Sequence, residues 1–158
     1  MDLALLCWLS TGAYAIHIME EFILDWRNWA RNVLKLPADW NVFYVTNSIV
    51  IVLGFVAAEI APRLPVVALG FPALMLINAT FFHVAPFLWK RGRFSPGLFT
   101  ALLLFYPLGY ACYRAQAGVV GLSSGEVAES LIIGGLLMMT PILFLKIKSG
   151  AYFNQDRP

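Results

Sequence analysis

Long apolar stretches interrupted by short polar punctuation dominate this chain. Five of them have the length and sparse charge of membrane-crossing helices, for which about 20 apolar residues are needed. They run from about Leu3 to Leu24, Trp40 to Ala61, Pro65 to Trp89, Pro96 to Ala115 and Glu126 to Leu145. The pattern predicts an all-α membrane protein with five transmembrane helices in a single membrane domain spanning 1–158. Between the first two stretches the period changes. Arg27, Arg31 and Lys35 recur every four residues, and Trp26, Trp29, Ala30 and Val33 fall opposite them. This spacing predicts a short interfacial amphipathic helix over about 25–36, with tryptophans at headgroup depth.

Several punctuating residues carry local predictions. Asp39 is placed to cap the second long helix, and Ser95-Pro96 reads as a cap followed by proline at the first helical position. Ser123 and Glu126 have capping-box spacing. The intervening residues from Gln116 to Gly125 read as a polar, glycine-rich loop. Pro86 and Pro107 interrupt helical stretches, where proline removes a hydrogen bond and displaces the carbonyl four residues back. Pro86 therefore frees the carbonyl of Phe82, beside His83.

Composition agrees with a bilayer environment. Of 158 residues, 60% are hydrophobic and 13% charged, with a mean hydropathy of +0.75, against about 25% charged in soluble domains. The net charge of +2 gives no reason to expect a nucleic-acid partner. Cys7 and Cys112 lack metal-type spacing and read as small core residues. The leader carries Asp2 in place of a positive n-region, and its apolar run continues past Ala15. The first stretch is therefore expected to be retained as a helix and not removed as a signal peptide. With the N-terminus outside and the C-terminus cytoplasmic, nine basic residues fall inside and only Arg63 and Arg114 outside. That asymmetry predicts the orientation by the positive-inside rule, in a membrane expected to be the bacterial inner membrane.

The costly residues then converge. His17, Glu20 and Glu21 share one helix face at i, i+3 and i+4, inside an apolar run where each charge needs a partner. At ~1.5 Å per residue, His17 lies about 10 Å and His83 about 9 Å below the cytoplasmic ends of their helices, with Asn47 at a similar depth. Asn78 is deeper, at roughly 16 Å by the same rise. Both histidines of the chain thus enter one leaflet with Glu20, Glu21, Asn47 and Asn78.

His17-Ile18-Met19-Glu20-Glu21 resembles the motif that names the HXXEE family of small bacterial membrane proteins. His83 looks like that family's second histidine. Phe94-Ser95-Pro96-Gly97 looks like its Tyr-x-Pro-Gly motif, with phenylalanine in place of tyrosine and so without the phenolic hydroxyl. The resemblance spans Ala13 to Gly97 and implies a site; it carries no reaction with it.

Imidazole with carboxylate suits a divalent metal ion, Zn, Fe or Mn. His17, His83 and Glu20 or Glu21 would hold it with an open coordination position. The other glutamate would serve as general base and Asn78 would orient a ligand or substrate. Asn47 is a further polar neighbour. Two histidines are too few for a multi-histidine di-iron centre, so one ion is expected. The function this favours is a metal-dependent membrane enzyme acting by hydrolysis or a related reaction on a lipophilic small molecule, in contact with membrane lipid. Alternatives are a metal-free acid–base isomerase or cyclase of isoprenoid-like substrates, and a non-enzymatic transporter or assembly subunit. No organic cofactor is evident, and oligomeric state is not legible.

Overall fold

The computed structural model describes residues 1–140 together with Leu143 and Ile147. Six helices make up these residues, with no strand among them. Three are long and apolar enough to cross a membrane: α1 (Leu3–Ile23), α3 (Trp40–Ile60) and α4 (Pro65–Trp89). The short α2 (26–34) lies between the first two. α5 (98–120) and α6 (Ser124–Met138) complete the bundle.

Two of the five expected crossings are not matched in full. α5 is long, but its second half carries Tyr106, Tyr110, Tyr113, Arg114 and Gln116. The described part of α6 is 15 residues, about 22 Å of helix against a hydrocarbon core of about 30 Å. The expected continuation to Leu145 lies outside the described residues, as do Lys146, Lys148 and Arg157.

α1 packs against α3 on one side and α5 on the other, while α4 packs most extensively against α6. Small residues allow this last approach. A Cβ at Gly134 would sit 2.7 Å from both the Ala73 Cβ and the Leu74 backbone nitrogen. Close backbone contact between small residues is the usual means of joining helices where lipid removes the hydrophobic drive. Cys7 and Cys112 are fully buried free thiols in the core, the latter 3.8 Å from the Ser10 hydroxyl.

The short helix α2 has a buried and an exposed side, with Arg27 of the expected basic face half-buried. Trp29, Ala30 and Val33 are buried together, and Arg31 and Lys35 are exposed. It ends at Leu34, with Lys35 left-handed at φ 59°. The capping expectations divide. Ser123 and Glu126 form the capping box. Asp39 occupies the cap position of α3 without a side-chain hydrogen bond. The expected loop at 116–125 is helical as far as Val120, where Gly121 at φ 80° stops it.

Two wide π-helical turns bear on the site. They span Ala79–Val84 in α4 and Ala101–Phe105 in α5, ending two residues before Pro86 and Pro107 respectively. Each proline lacks the N–H that would close an α-turn, and the wider turn absorbs the defect. Such π-bulges occur often at functional sites. Here the effect is concrete. Residues five apart point about 140° from each other on an α-helix, yet Asn78 Oδ1 and His83 Nε2 are 3.1 Å apart across the wide turn.

Candidate metal centre

Three of the predicted residues meet inside the bundle. Glu21 Oε1 is 3.6 Å from His17 Nε2 and 3.5 Å from His83 Nε2. The three donor atoms all lie within 4.8 Å of one another, close enough to hold one metal ion. Both imidazoles are fully buried and Glu21 is 5% exposed. The rings meet edge-to-face at 4.8 Å, over a floor of aromatic side chains in which Phe105 lies 4.4 Å from His17 and 5.3 Å from Tyr14.

Each imidazole is held from behind by a hydroxyl. The Thr100 hydroxyl donates to Glu20 Oε2 at 2.6 Å, so its oxygen is left to accept from His17 Nδ1 at 2.7 Å. The Ser95 hydroxyl donates to the Phe82 carbonyl at 3.4 Å and accepts from His83 Nδ1 at 3.1 Å. That carbonyl is the one freed by Pro86. With hydrogen on Nδ1, the neutral His17 ring turns a bare Nε2 lone pair inward, while His83 either does the same or donates from Nε2 to Asn78 Oδ1 at 3.1 Å, according to which nitrogen carries its hydrogen. His17 Nε2 has no hydrogen-bond partner despite being buried. Outer partners of this kind fix the tautomer and orientation of metal-binding histidines.

The two adjacent glutamates separate in role. Glu21 faces the imidazoles. Glu20, expected as ligand or base, points instead to the start of α5. Its carboxylate accepts from the backbone N–H groups of Gly97, Phe99 and Thr100 at 3.0, 3.2 and 2.8 Å, as well as from the Thr100 hydroxyl. It caps that helix from across the bundle, where unpaired N–H groups and the helix dipole favour an anion. Ser95 was the expected cap of this helix; its hydroxyl serves His83, and Gly97 occupies the cap position.

Gly97 accounts for the Pro-Gly of the motif. At φ 96° it is left-handed, and a Cβ there would lie 2.5 Å from His83 Cε1 and 2.7 Å from His17 Cε1. The turn thus passes directly over both rings, which only glycine allows. Phe94, in the tyrosine position, packs on Phe99 at 5.0 Å.

Asn78 and Asn47 are buried and line a cavity of about 280 Å³ that reaches Glu21. Its deep end includes Tyr14, Glu21 and Asn78, and other walls come from Trp26, residues 36–39, α3 and Phe82. Asn47 is separated in role from the three-donor group; it belongs to the cavity wall.

A family model matches residues 8–112, which include every site residue named above. The chain belongs to the family described as "Protein of unknown function with HXXEE motif". No curated protein and no solved structure matches. Within the HXXEE segment, the structure gives the first histidine and the last glutamate to the three-donor group and the middle glutamate to α5. Sequence reasoning did not reach Thr100 or the roles of Ser95 and Gly97. The one available signal for Thr100 was a lone hydroxyl in the apolar run Leu98-Phe99-Thr100-Ala101-Leu102.

Proposed function

We propose that this protein is an integral membrane metalloenzyme in which His17, Glu21 and His83 hold one divalent ion of the Zn, Fe or Mn class. It acts on a lipophilic substrate by hydrolysis or a related reaction. In this reading it crosses the bacterial inner membrane five times, with the N-terminus outside. The basic residues Arg27, Arg31, Lys35, Lys90, Arg91 and Arg93 support that orientation, because they flank the end of the bundle that carries the site.

The donor spacing carries the metal reading. Ion–donor bonds of about 2.0–2.2 Å in a tetrahedron put neighbouring donors about 3.3–3.6 Å apart. The two histidine–glutamate separations are 3.6 and 3.5 Å, too long for good hydrogen bonds and suited to donors that share an ion. Asn78 Oδ1 stands 3.1 Å from His83 Nε2, accepting from it when the ring carries hydrogen there and placed beside an ion when it does not. Three protein donors leave a position free, as catalytic sites require.

A bound ion would supply Lewis acidity at that position. The chain's own residues do the rest. Ser95 and Thr100 hold the rings in the required tautomer, and the aromatic floor excludes water. Asn78 orients the substrate's polar group. With Glu20 committed to α5, proton transfer falls to the free oxygen of Glu21, which lines the cavity. Elemental analysis of the detergent-purified protein tests the reading. One equivalent of metal, lost in His17→Ala, is expected. Absence of stoichiometric metal in protein that is folded by circular dichroism would rule it out and favour acid–base chemistry that survives chelators.

A further inference from the structure

We propose that the substrate is an uncharged, oxygen-bearing lipophile, such as an alcohol, ester or ether, and not a lipid with a phosphate or diphosphate head. This rests on the metal-centre reading only for where the molecule reacts; the selectivity comes from the cavity wall.

The cavity has two carboxylates, Glu21 at the deep end and Asp39 on the wall formed by residues 36–39, and no lysine or arginine among the described residues that line it. These two carboxylates make the wall acidic, which an uncharged guest tolerates and a further anion does not. A phosphate would bring further negative charge beside these carboxylates with no lysine or arginine in the wall to pair it, which is unfavourable. Arg31 and Lys35 are exposed and Arg27 is half-buried beside Trp26, and none of the three lines the cavity.

The remaining polar lining is neutral. Tyr14 and Asn78 flank Glu21, and Thr46 and Asn47 stand on the α3 wall. Hydroxyl and amide groups of this kind recognise hydroxyl, ester or ether oxygens. Val42, Phe43, Phe82 and Met138 supply an apolar surface for the adjoining hydrocarbon. A volume of about 280 Å³ equals roughly nine waters at ~30 Å³ each. It therefore admits the oxygen-bearing end and the first part of a tail. A few precisely placed polar groups in an apolar cleft are the ordinary form of a small-molecule site.

Native mass spectrometry of the full chain in detergent tests this with two probes that differ by a phosphate: monolaurin and lauroyl lysophosphatidic acid. Monolaurin is expected to form a saturable one-to-one adduct, with the phosphate compound at least tenfold weaker. Val42→Trp, or the smaller plug Ala38→Leu, should abolish the adduct. Asn47→Leu should weaken it at least fivefold, and Thr46→Lys should raise the relative affinity for the phosphate compound. Equal or tighter binding of the phosphate compound overturns the proposal, and so does an adduct that persists in both plugged variants. Metal content is measured on the same preparations. Selective monolaurin binding without metal would refute the metalloenzyme reading and leave the substrate class standing. Stoichiometric metal without that selectivity would do the reverse.

Discussion

Thr100→Val removes one oxygen and keeps the side-chain shape, so it isolates the link between Glu20 and His17. In the parent protein that oxygen donates to Glu20 Oε2 at 2.6 Å and accepts from His17 Nδ1 at 2.7 Å. The first is a hydrogen bond to a charged group, worth about 1.5–3 kcal/mol, and the second is worth about 0.5–1.5 kcal/mol. Glu20 retains its three backbone donors, so most of the first loss falls on stability and little on the position of α5. The second loss falls on the metal site. A buried His17 Nδ1–H without an acceptor favours the other tautomer, which puts the proton on Nε2 where the ion must bind. Loss of an outer partner of this kind typically weakens metal binding 10–100-fold, or about 1.4–2.7 kcal/mol. Chelator competition on detergent-purified protein reads this directly. Thr100→Ser, which keeps the hydroxyl, should bind within about threefold of the parent, well inside the ~1.4 kcal/mol that a tenfold change represents. If Thr100→Val competes with the chelator as well as the parent does, the hydroxyl does not set the tautomer and the proposed relay is wrong.

Other outcomes follow from the same geometry. Glu21→Gln should lose metal at least 100-fold, because it removes the anionic donor, while Glu20→Gln should keep stoichiometric metal and lower thermal stability by about 1.5–3 kcal/mol through its weakened cap; elemental analysis beside thermal unfolding separates the two. Gly97→Ala combines a left-handed backbone, costing about 1–2 kcal/mol, with overpacking against both imidazoles at about 1–3 kcal/mol. It should express poorly or unfold at markedly lower temperature, and parent-like stability would contradict the close packing. Ser123→Ala removes half of a capping box far from the metal site and should cost about 1 kcal/mol with metal content unchanged.

The apolar pattern revealed the long helices because their limits depend on local chemistry: Asp2 and Trp40 begin α1 and α3 where the sequence changes character, and Pro65 opens α4. The convergence of His17, Glu21 and His83 was also legible, because the first and third of alternating long helices end on the same side and so bring residues near their C-terminal ends to similar depth. Two kinds of information were not. The first is angular. A wide turn ahead of Pro86 shifts the face of α4, so Asn78 and His83 meet although α-helical geometry sets them apart. The second is the choice between adjacent carboxylates. Glu20 and Glu21 share the same helical arc with His17 to within one residue, and only the approach of the 95–100 turn decides which faces the imidazoles. Helix extent beyond Gln116 was misjudged for a related reason. The polar residues from Gln116 onward read as loop, yet Gln116 is buried within the helix, which continues until Gly121 at positive φ stops it.

The division between the two glutamates also explains how one apolar helix can carry His17, Glu20 and Glu21 on one face. A carboxylate in an apolar segment requires positive charge from somewhere. Glu20 obtains it from α5, whose first turn presents three N–H groups and the positive end of its dipole. Glu21 has no such supply. Its nearest polar neighbours are two imidazoles at 3.6 and 3.5 Å, too long for good hydrogen bonds, and the site is shielded from water on the aromatic side. Either a proton or a cation must therefore enter with the chain, and a divalent ion satisfies the carboxylate and both imidazoles at once. In the proposed metalloenzyme the fold and the ion are coupled. Glu20 pins the 95–100 turn, that turn holds both rings through Ser95 and Thr100, and the rings present the donors. Metal binding should consequently stabilise the junction of α1, α4 and α5 more than the contact between α4 and α6. In hydrogen exchange with and without added metal, protection is expected to rise at residues 97–100 and stay constant around Gly134. Equal changes at both places would mean that the ion acts on the bundle as a whole and not through the Glu20–Thr100–His17 chain.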